Sequence, residues 1–228
     1  FPNAISKRMD WDTTRGKFSF DKIINSFAKQ EIDILIGTQM ITKGLDFKNI
    51  GLVGVINTDH FLNFPDFRAH EKAFQILTQV AGRSGRSGDR GKVFMQTYQP
   101  DHPIIKNVIE NDYEKMYKNQ LLERKDYNYP PFVRLIRITI KDKSYEKLNS
   151  SGNWLNRVIR DNYKGIVLGP VYPEISRIKN KYHKQFLIKL RNLDELNRFR
   201  SIFQKIQKSF DSISKYRSVR IIVDVDPI

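Results

Sequence analysis

The sequence predicts an α/β chain in two parts, a parallel-sheet lobe followed by a βαββαβ domain. Three observations predict it. Short apolar runs alternate with amphipathic stretches in the first half, and a tandem-proline break, Lys125 to Phe132 (KDYNYPPF), interrupts them. Beyond the break the order is strand, helix, strand, strand, helix, strand. The boundaries that follow are 1–124 for the lobe, 125–132 for the junction and 133–228 for the second domain.

In the first part, Ser19 to Gln30 carries Phe20, Ile23, Ile24 and Phe27 at helical spacing. Ile32 to Gly37 (IDILIG) and Leu52 to Asn57 (LVGVIN) are continuous apolar runs, the pattern of strands buried on both faces. Glu71 to Ala81 is a helix with Ala73, Phe74, Leu77, Val80 and Ala81 inward, and Val93 to Tyr98 is a third strand. Pro103, tolerated in a first turn, opens one long amphipathic helix. Strands separated by helices imply a parallel sheet covered on both faces. In the second part the strand Val133 to Lys141 precedes a helix from Tyr145 to Asp161. An apolar run, Ile166 to Leu168, ends in a turn at Gly169-Pro170. Strands follow at Glu174 to Ile178 and Lys184 to Leu190, then a helix from Asp194 to Phe210 and a last strand from Val219 to Val225.

The 228 residues carry a formal net charge of +15, so an acidic partner is expected, nucleic acid first. The charge is uneven: residues 1–124 hold 18 Lys+Arg against 15 Asp+Glu, and residues 125–228 hold 22 against 10. With no cysteine there is neither a disulfide nor a thiolate zinc site, and the four histidines lack metal-ligand spacing. No apolar run is long enough for a membrane span and no signal peptide is visible, which together predict a cytoplasmic protein with no membrane partner. A start at Phe1-Pro2, without methionine, is the expectation for an excised fragment.

Two blocks carry chemistry. Gln79-Val80-Ala81-Gly82-Arg83-Ser84-Gly85-Arg86 sets two arginines three residues apart among small residues. Their forks are permanently charged and bind phosphate oxygens bidentately. Three residues is close to one helical turn, so both can point one way, as neutralising a γ-phosphate requires. A bare RxxR would be read as a basic turn. The upstream block changes that: Gly37-Thr38-Gln39-Met40-Ile41-Thr42-Lys43-Gly44-Leu45-Asp46-Phe47 leaves the C-terminal end of a strand, where open α/β sheets bind ligands. Thr38 and Gln39 offer neutral hydrogen bonds to a sugar-phosphate backbone, Lys43 offers charge, Gly44 permits close approach and Asp46 can accept from a ribose hydroxyl.

Together the two blocks resemble motifs V and VI of superfamily 2 nucleic-acid helicases, and in detail the replication-restart helicases among them. Further segments share the resemblance: Arg8 to Thr14 (RMDWDTT), Asp66-Phe67-Arg68-Ala69 with Glu71, Gln96 to Pro103 (QTYQPDHP), Tyr129 to Phe132 (YPPF) and Val223 to Pro227 (VDVDP). Lys72 stands where arginine is usual in that family, and Leu45 where histidine is common. The resemblance implies a RecA-like second motor lobe and, for the whole protein, an ATP-dependent 3′-to-5′ DNA helicase that recognises stalled forks. Arg83 and Arg86 would be arginine fingers, and Gly44, Asp46 and Gln79 would lie at the nucleotide. Thr38, Gln39 and Lys43 would touch single-stranded DNA. The cofactor it implies is ATP with Mg²⁺, held mainly by another lobe, because neither a GxxxxGK[ST] loop nor a DExH-type motif occurs in this chain. It also implies zinc elsewhere in the full-length protein and none here. Branched and single-stranded DNA, single-strand-binding protein and other primosome proteins are the implied partners.

In the basic half, Arg177, Lys179, Lys181, Lys184 and Lys189 interleave with Tyr172, Tyr182 and Phe186 around the central hairpin. Charge that tracks phosphates and rings that stack bases are the two ingredients of single-strand binding. Arg177, Lys179, Lys181 and Tyr182 are therefore candidate DNA contacts. The alternative is a non-enzymatic, basic RNA-binding module, since a βαββαβ domain is also the frame of an RNA-recognition fold.

Overall fold

The structure, a computed structural model, describes residues 2–10, 19–38, 50–82 and 91–227. The chain divides into two compact units, Phe1–Gln120 and Leu121–Ile228.

The first unit begins with β1 (Ser6–Met9), α1 (Ser19–Ala28) and β2 (Ile34–Gly37). β1 and β2 pair in parallel, and Phe20, Ile23, Ile24 and Phe27 of α1 pack with Leu35 and Ile50 against the fully buried Met9. Next come β3 (Leu52–Val55), the single-turn α2 (Asp59–Leu62), α3 (Ala69–Ala81), β4 (Lys92–Met95), α4 (Pro103–Glu110) and α5 (Tyr113–Asp126). β3 and β4 form a second parallel pair. Leu62, Ala73, Phe74, Leu77, Ile104, Ile105, Val108 and Met116 form the core under it, with Val55 and Met95 against them.

Three expectations need correction here. β1 goes unpredicted, because Ser6-Lys7-Arg8-Met9 has only one apolar residue to signal a strand. The expected single sheet covered on both faces is, among the described residues, two separate parallel pairs, each with a wet face. Ile36, Leu52 and Phe94 are more than half exposed, since the described helices supply cover on one side only. The long helix from Pro103 is two helices. Asn111 takes a left-handed conformation (φ 52°) that ends α4, and the Asp112 carboxylate accepts from the Lys115 N–H, 2.9 Å, to start α5.

Local polar contacts give the motif residues of this unit structural tasks. The Asp59 carboxylate accepts from the Thr97 hydroxyl (2.9 Å) and the Tyr98 N–H (3.0 Å), tying α2 to the end of β4. His102 caps α4 by accepting from the Ile104 N–H at 3.2 Å, and its ring meets that of His70 at 5.1 Å. Asp66 accepts from the Arg68 N–H (2.8 Å) and from Lys72 Nζ (3.0 Å). Lysine at position 72 thus still reaches the carboxylate. Burial alone would raise the Asp66 pKa, but the Arg68 and Lys72 contacts outweigh it and hold the carboxyl below its usual value. The sign follows: Asp66 stabilises the fold above the unfolded carboxyl pKa of about 3.9, and that contribution disappears as pH falls through the lower folded value. Melting curves between pH 7 and pH 3 should show less acid destabilisation for Asp66→Asn than for the parent chain.

The second unit contains the last turns of α5, then β5 (Arg134–Asp142), α6 (Tyr145–Asn162), β6 (Ile166–Val171), β7 (Arg177–Ile178), β8 (Lys181–Leu190), α7 (Leu193–Asp211) and β9 (Arg220–Val225). The sheet is antiparallel in the order β6-β8-β5-β9, with the short β7 also on β8. The order is the predicted βαββαβ, but its second strand is Ile166–Val171 and not Glu174–Ile178, of which only Arg177–Ile178 pairs as a strand. Gly169-Pro170 is therefore not a turn: β6 runs through it, with an irregularity between Leu168 and Val171, and Val171 still pairs with Gln185. Gly169 is the reason. At φ 93° it brings β6 so close to β8 that an added Cβ would lie 2.5 Å from the Gln185 carbonyl oxygen.

One face of this sheet is dry. Ile136, Ile138 and Ile140 of β5 alternate inward beside Phe186, Ile188 and Leu190 of β8. They meet Leu148, Leu155 and Ile159 of α6 and Phe199, Phe203, Ile206 and Phe210 of α7. Both helices start on side-chain caps, Ser144 accepting from the Lys147 N–H at 3.3 Å and Asn192 from the Glu195 N–H at 2.9 Å. Asp226 secures the edge strand. Its carboxylate accepts from Arg134 Nε (3.0 Å) and from the Leu135 N–H (3.2 Å), and its own N–H donates to the Leu135 carbonyl at 2.8 Å. These bonds raise the Arg134 pKa and give the terminal VDVDP segment a structural task.

Candidate nucleic-acid interface

The hairpin β7–β8 turns on Lys179 and Asn180, both with positive φ (47° and 60°), as a two-residue turn that follows the sheet twist requires. Asparagine tolerates that conformation; lysine adopts it uncommonly, and here it places the Lys179 side chain at an exposed tip. Arg177 does not project freely. Its guanidinium donates to the Asn180 side-chain oxygen and lies 5.0 Å from the Tyr182 ring centroid, so it braces the turn.

Behind the hairpin three tyrosines interlock. Tyr145 stacks on Tyr172 (5.9 Å, 2° between planes) and meets Tyr182 edge-on (5.5 Å, 74°). The Tyr172 hydroxyl donates to Asn149 Oδ1 at 2.6 Å, and Lys184 Nζ sits 4.8 Å over the Tyr172 ring. Tyr145 and Tyr172 keep exposed ring surface, which makes a platform of the kind that stacks bases.

Register assigns the remaining cations. Lys184 alternates with Phe186 toward the helices, and its stem lies beside Gly152 of α6, where a Cβ would meet Lys184 Cδ at 3.5 Å. Phe186 is wholly buried. Lys189 is buried too, donating to the Tyr127 carbonyl at 2.6 Å with its ammonium 3.6 Å from the Tyr129 ring centroid, and burial lowers its pKa. Lys184, Lys189 and Phe186, read from sequence as part of the basic aromatic surface, are thus structural: the two-residue period of β8 turns Lys184 and Phe186 inward, while Lys189, on the opposite face, is engaged by Tyr127 and Tyr129.

The hairpin sets Arg177 opposite Tyr182 on one face and Lys181 on the other, with Lys179 at the tip. Thr38 is exposed just after β2, and Gln79 is exposed in the last turn of α3, ahead of Gly82 at its C-cap. Gln39, Lys43, Gly44, Asp46, Arg83 and Arg86 lie outside the described residues. Sequence reasoning missed the other face of the sheet, where Arg137, Thr139 and Lys141 of β5 alternate outward beside Leu187, Gln185 and His183 of β8. The polar residues at every second position of β5 were the available signal. Among the described residues no helix is long and apolar enough to cross a membrane.

Residues 14–88 match the family described as helicase conserved C-terminal domain, and residues 125–228 match the primosomal protein N C-terminal domain. Fold and matches together define the class: a helicase-type α/β lobe joined to a βαββαβ domain. Three curated proteins, each named replication restart protein PriA, align over nearly the whole chain. The Chlamydia muridarum protein is 40% identical over 230 residues, covering 100% of this chain and 30% of its own length. The Bacillus subtilis protein is 37% identical over 228 residues (99% and 28%), and the Thermotoga maritima protein 31% identical over 227 residues (100% and 29%). The chain belongs to the PriA family and corresponds to its C-terminal region. It spans about 30% of the length of these relatives.

Proposed function

We propose that this chain supplies the second motor lobe and the DNA-binding C-terminal domain of an ATP-dependent 3′-to-5′ DNA helicase that restarts replication at stalled forks. The lobe is assigned to residues 1–124 and the DNA-binding domain to 133–228. The observation that carries this reading is the helicase match over residues 14–88, which contains both the Gly37–Phe47 block and the Arg83/Arg86 pair.

The donor set fits half a nucleotide site. Exposed Gln79 lies in the last turn of α3, two guanidinium forks follow it in sequence, and no phosphate-cradling loop occurs in the chain. A bound nucleotide with Mg²⁺ would provide the phosphoanhydride bond whose cleavage drives the motor. This chain's part is to place Arg83 and Arg86 against the phosphates, with Gly44 and Asp46 beside the ribose, and to hold the strand through Thr38, Gln39 and Lys43. Branched and single-stranded DNA, single-strand-binding protein and other primosome proteins are the partners this reading carries. The competing idea, a non-enzymatic RNA-binding module, leaves the helicase-type stretch without a task.

Joining the chain to a lobe that bears a phosphate-binding loop and substituting Arg86 tests the motor. The chain alone is expected to show no DNA-stimulated ATP hydrolysis, and turnover at the rate of the joined protein would refute the division of labour. At the hairpin, Lys179→Gln with Lys181→Gln should weaken binding to single-stranded oligonucleotides and flatten the salt dependence by about 1.4 in log–log slope, about 0.7 per phosphate contact. An unchanged slope would remove these two lysines from the interface.

A further inference from the structure

The face of the β5–β8–β9 sheet opposite α6 and α7 carries an uncompensated row of cations. Lys141 of β5 stands directly across from His183 of β8 on one side and Arg220 of β9 on the other. Lys181 follows on the same face, two residues before His183 along β8. Like charges placed opposite one another across a sheet repel at the short cross-strand spacing and destabilise it. Four residues along β5 the same strands show the opposite arrangement, with Arg137 facing Asp224. Among the described residues, Lys141, Lys181 and Arg220 form no ion pair, while ion pairs occur elsewhere. Leu168 and Ile222, both more than two-fifths exposed, lie on the same sheet face and offer apolar surface to unstacked bases.

We infer that the Lys141–His183–Arg220 row is a second phosphate-tracking site, which holds the backbone of single-stranded DNA across the open sheet face. This rests on the proposed DNA-binding role of the domain but places the contact on a surface other than the hairpin. An anion laid across three strands relieves the repulsion that the free sheet carries, which is why the occupant is a polyanion.

The site makes binding depend on pH. Burial first, then Lys141 and Lys181, lower the pKa of His183 in the free protein. The charged groups facing the ring are Lys181 on its own strand and Lys141 on β5, with Arg220 beyond it on β9; no carboxylate pairs with them across the register. A phosphate backbone raises the imidazole pKa, so the complex takes up a proton. Affinity therefore rises as pH falls through the bound-state pKa and levels off below the free-state value.

The test is fluorescence anisotropy of the 228-residue chain with a labelled oligothymidine strand and with a duplex, over a salt series at pH 6 and pH 8. Lys141→Gln with Arg220→Gln should weaken single-strand binding about tenfold and reduce the salt slope by about 1.4. His183→Gln should abolish the tightening between pH 8 and pH 6, expected at about three- to tenfold in the parent, with unchanged thermal melting. Retained single-strand affinity in the double variant, or a pH response that survives His183→Gln, overturns the inference. So does a loss confined to duplex. If Lys179→Gln alone abolishes binding, the domain binds DNA but this row does not. If the parent chain fails to bind either DNA at low salt, the broader DNA-binding reading falls with it.

Discussion

Arg86→Ala, made in a protein where a lobe with a phosphate-binding loop precedes this chain, is expected to lower DNA-stimulated ATP hydrolysis by about 10³-fold or more. That is the range by which an arginine finger acts in phosphoryl transfer. The physical basis is charge that develops on the transferred phosphoryl group and must be met by a preoriented donor. Arg86→Lys should recover little of the loss, since a lysine ammonium cannot reproduce the planar two-donor fork. Arg83→Ala is expected to lower hydrolysis as well. Single-strand affinity should hold in both variants, because the residues of 133–228 proposed to track phosphates remain. Steady-state hydrolysis with and without DNA, beside anisotropy, separates the outcomes. Hydrolysis within about tenfold of the parent for Arg86→Ala would remove it from the phosphoryl-transfer step.

Gly169→Ala is the substitution expected to damage the fold most. Two costs coincide. A φ of 93° is strained for any residue with a Cβ, at about 1–3 kcal/mol. The new methyl group would also stand 2.5 Å from the Gln185 carbonyl oxygen and 3.3 Å from Phe186 Cα, both backbone atoms of the central strand β8. Relief requires β6 to move from β8, which adds about 1–3 kcal/mol by analogy with overpacked cores. A total near 3–4 kcal/mol is a large share of a small domain's stability and corresponds to a fall in Tm of well over 10 °C. Arg160 sharpens the effect, since its Nη2 donates to the Val167 carbonyl at 2.9 Å and the Gly169 carbonyl at 3.3 Å, so strand and helix would shift together. Thermal denaturation followed by circular dichroism measures it. A Tm within about 3 °C of the parent would show that β6 accepts the side chain without cost. Gly152→Ala offers a comparison: its Cβ would meet only side-chain carbons, Ile140 Cδ1 at 3.3 Å and Lys184 Cδ at 3.5 Å, and the helix gains propensity.

The hairpin and the open face also differ in what they ask of a ligand. At the hairpin, Arg177 is engaged with Asn180 and Tyr182, so its replacement should loosen the turn as well as remove a charge. Lys179 at the tip has no such task. On the sheet face the cations stand on paired strands, whose backbone hydrogen bonds fix their spacing before any DNA arrives. Preorganisation of this kind lowers the ordering cost of binding.

Local order along the chain carried a large part of this protein into view. Apolar periodicity located α1, α3, α6 and α7, and the alternation in β5 and β8 located the strands of the second sheet, because helix and strand repeats are properties of a single segment. The two motif blocks and the tandem prolines were legible for the same reason. Charge bias toward residues 125–228 needed only counting. What tertiary structure decided was direction and partnership. Only strand pairing shows that Lys184 and Phe186 point inward while Lys141, His183 and Arg220 line up on the other face. Only the approach of β6 to β8 explains why Gly169 continues a strand where its sequence reads as a turn, and only Asn111 in a left-handed conformation divides the helix begun at Pro103. These outcomes depend on residues tens of positions apart meeting across hydrogen-bonded strands, a relation that no local window of sequence contains.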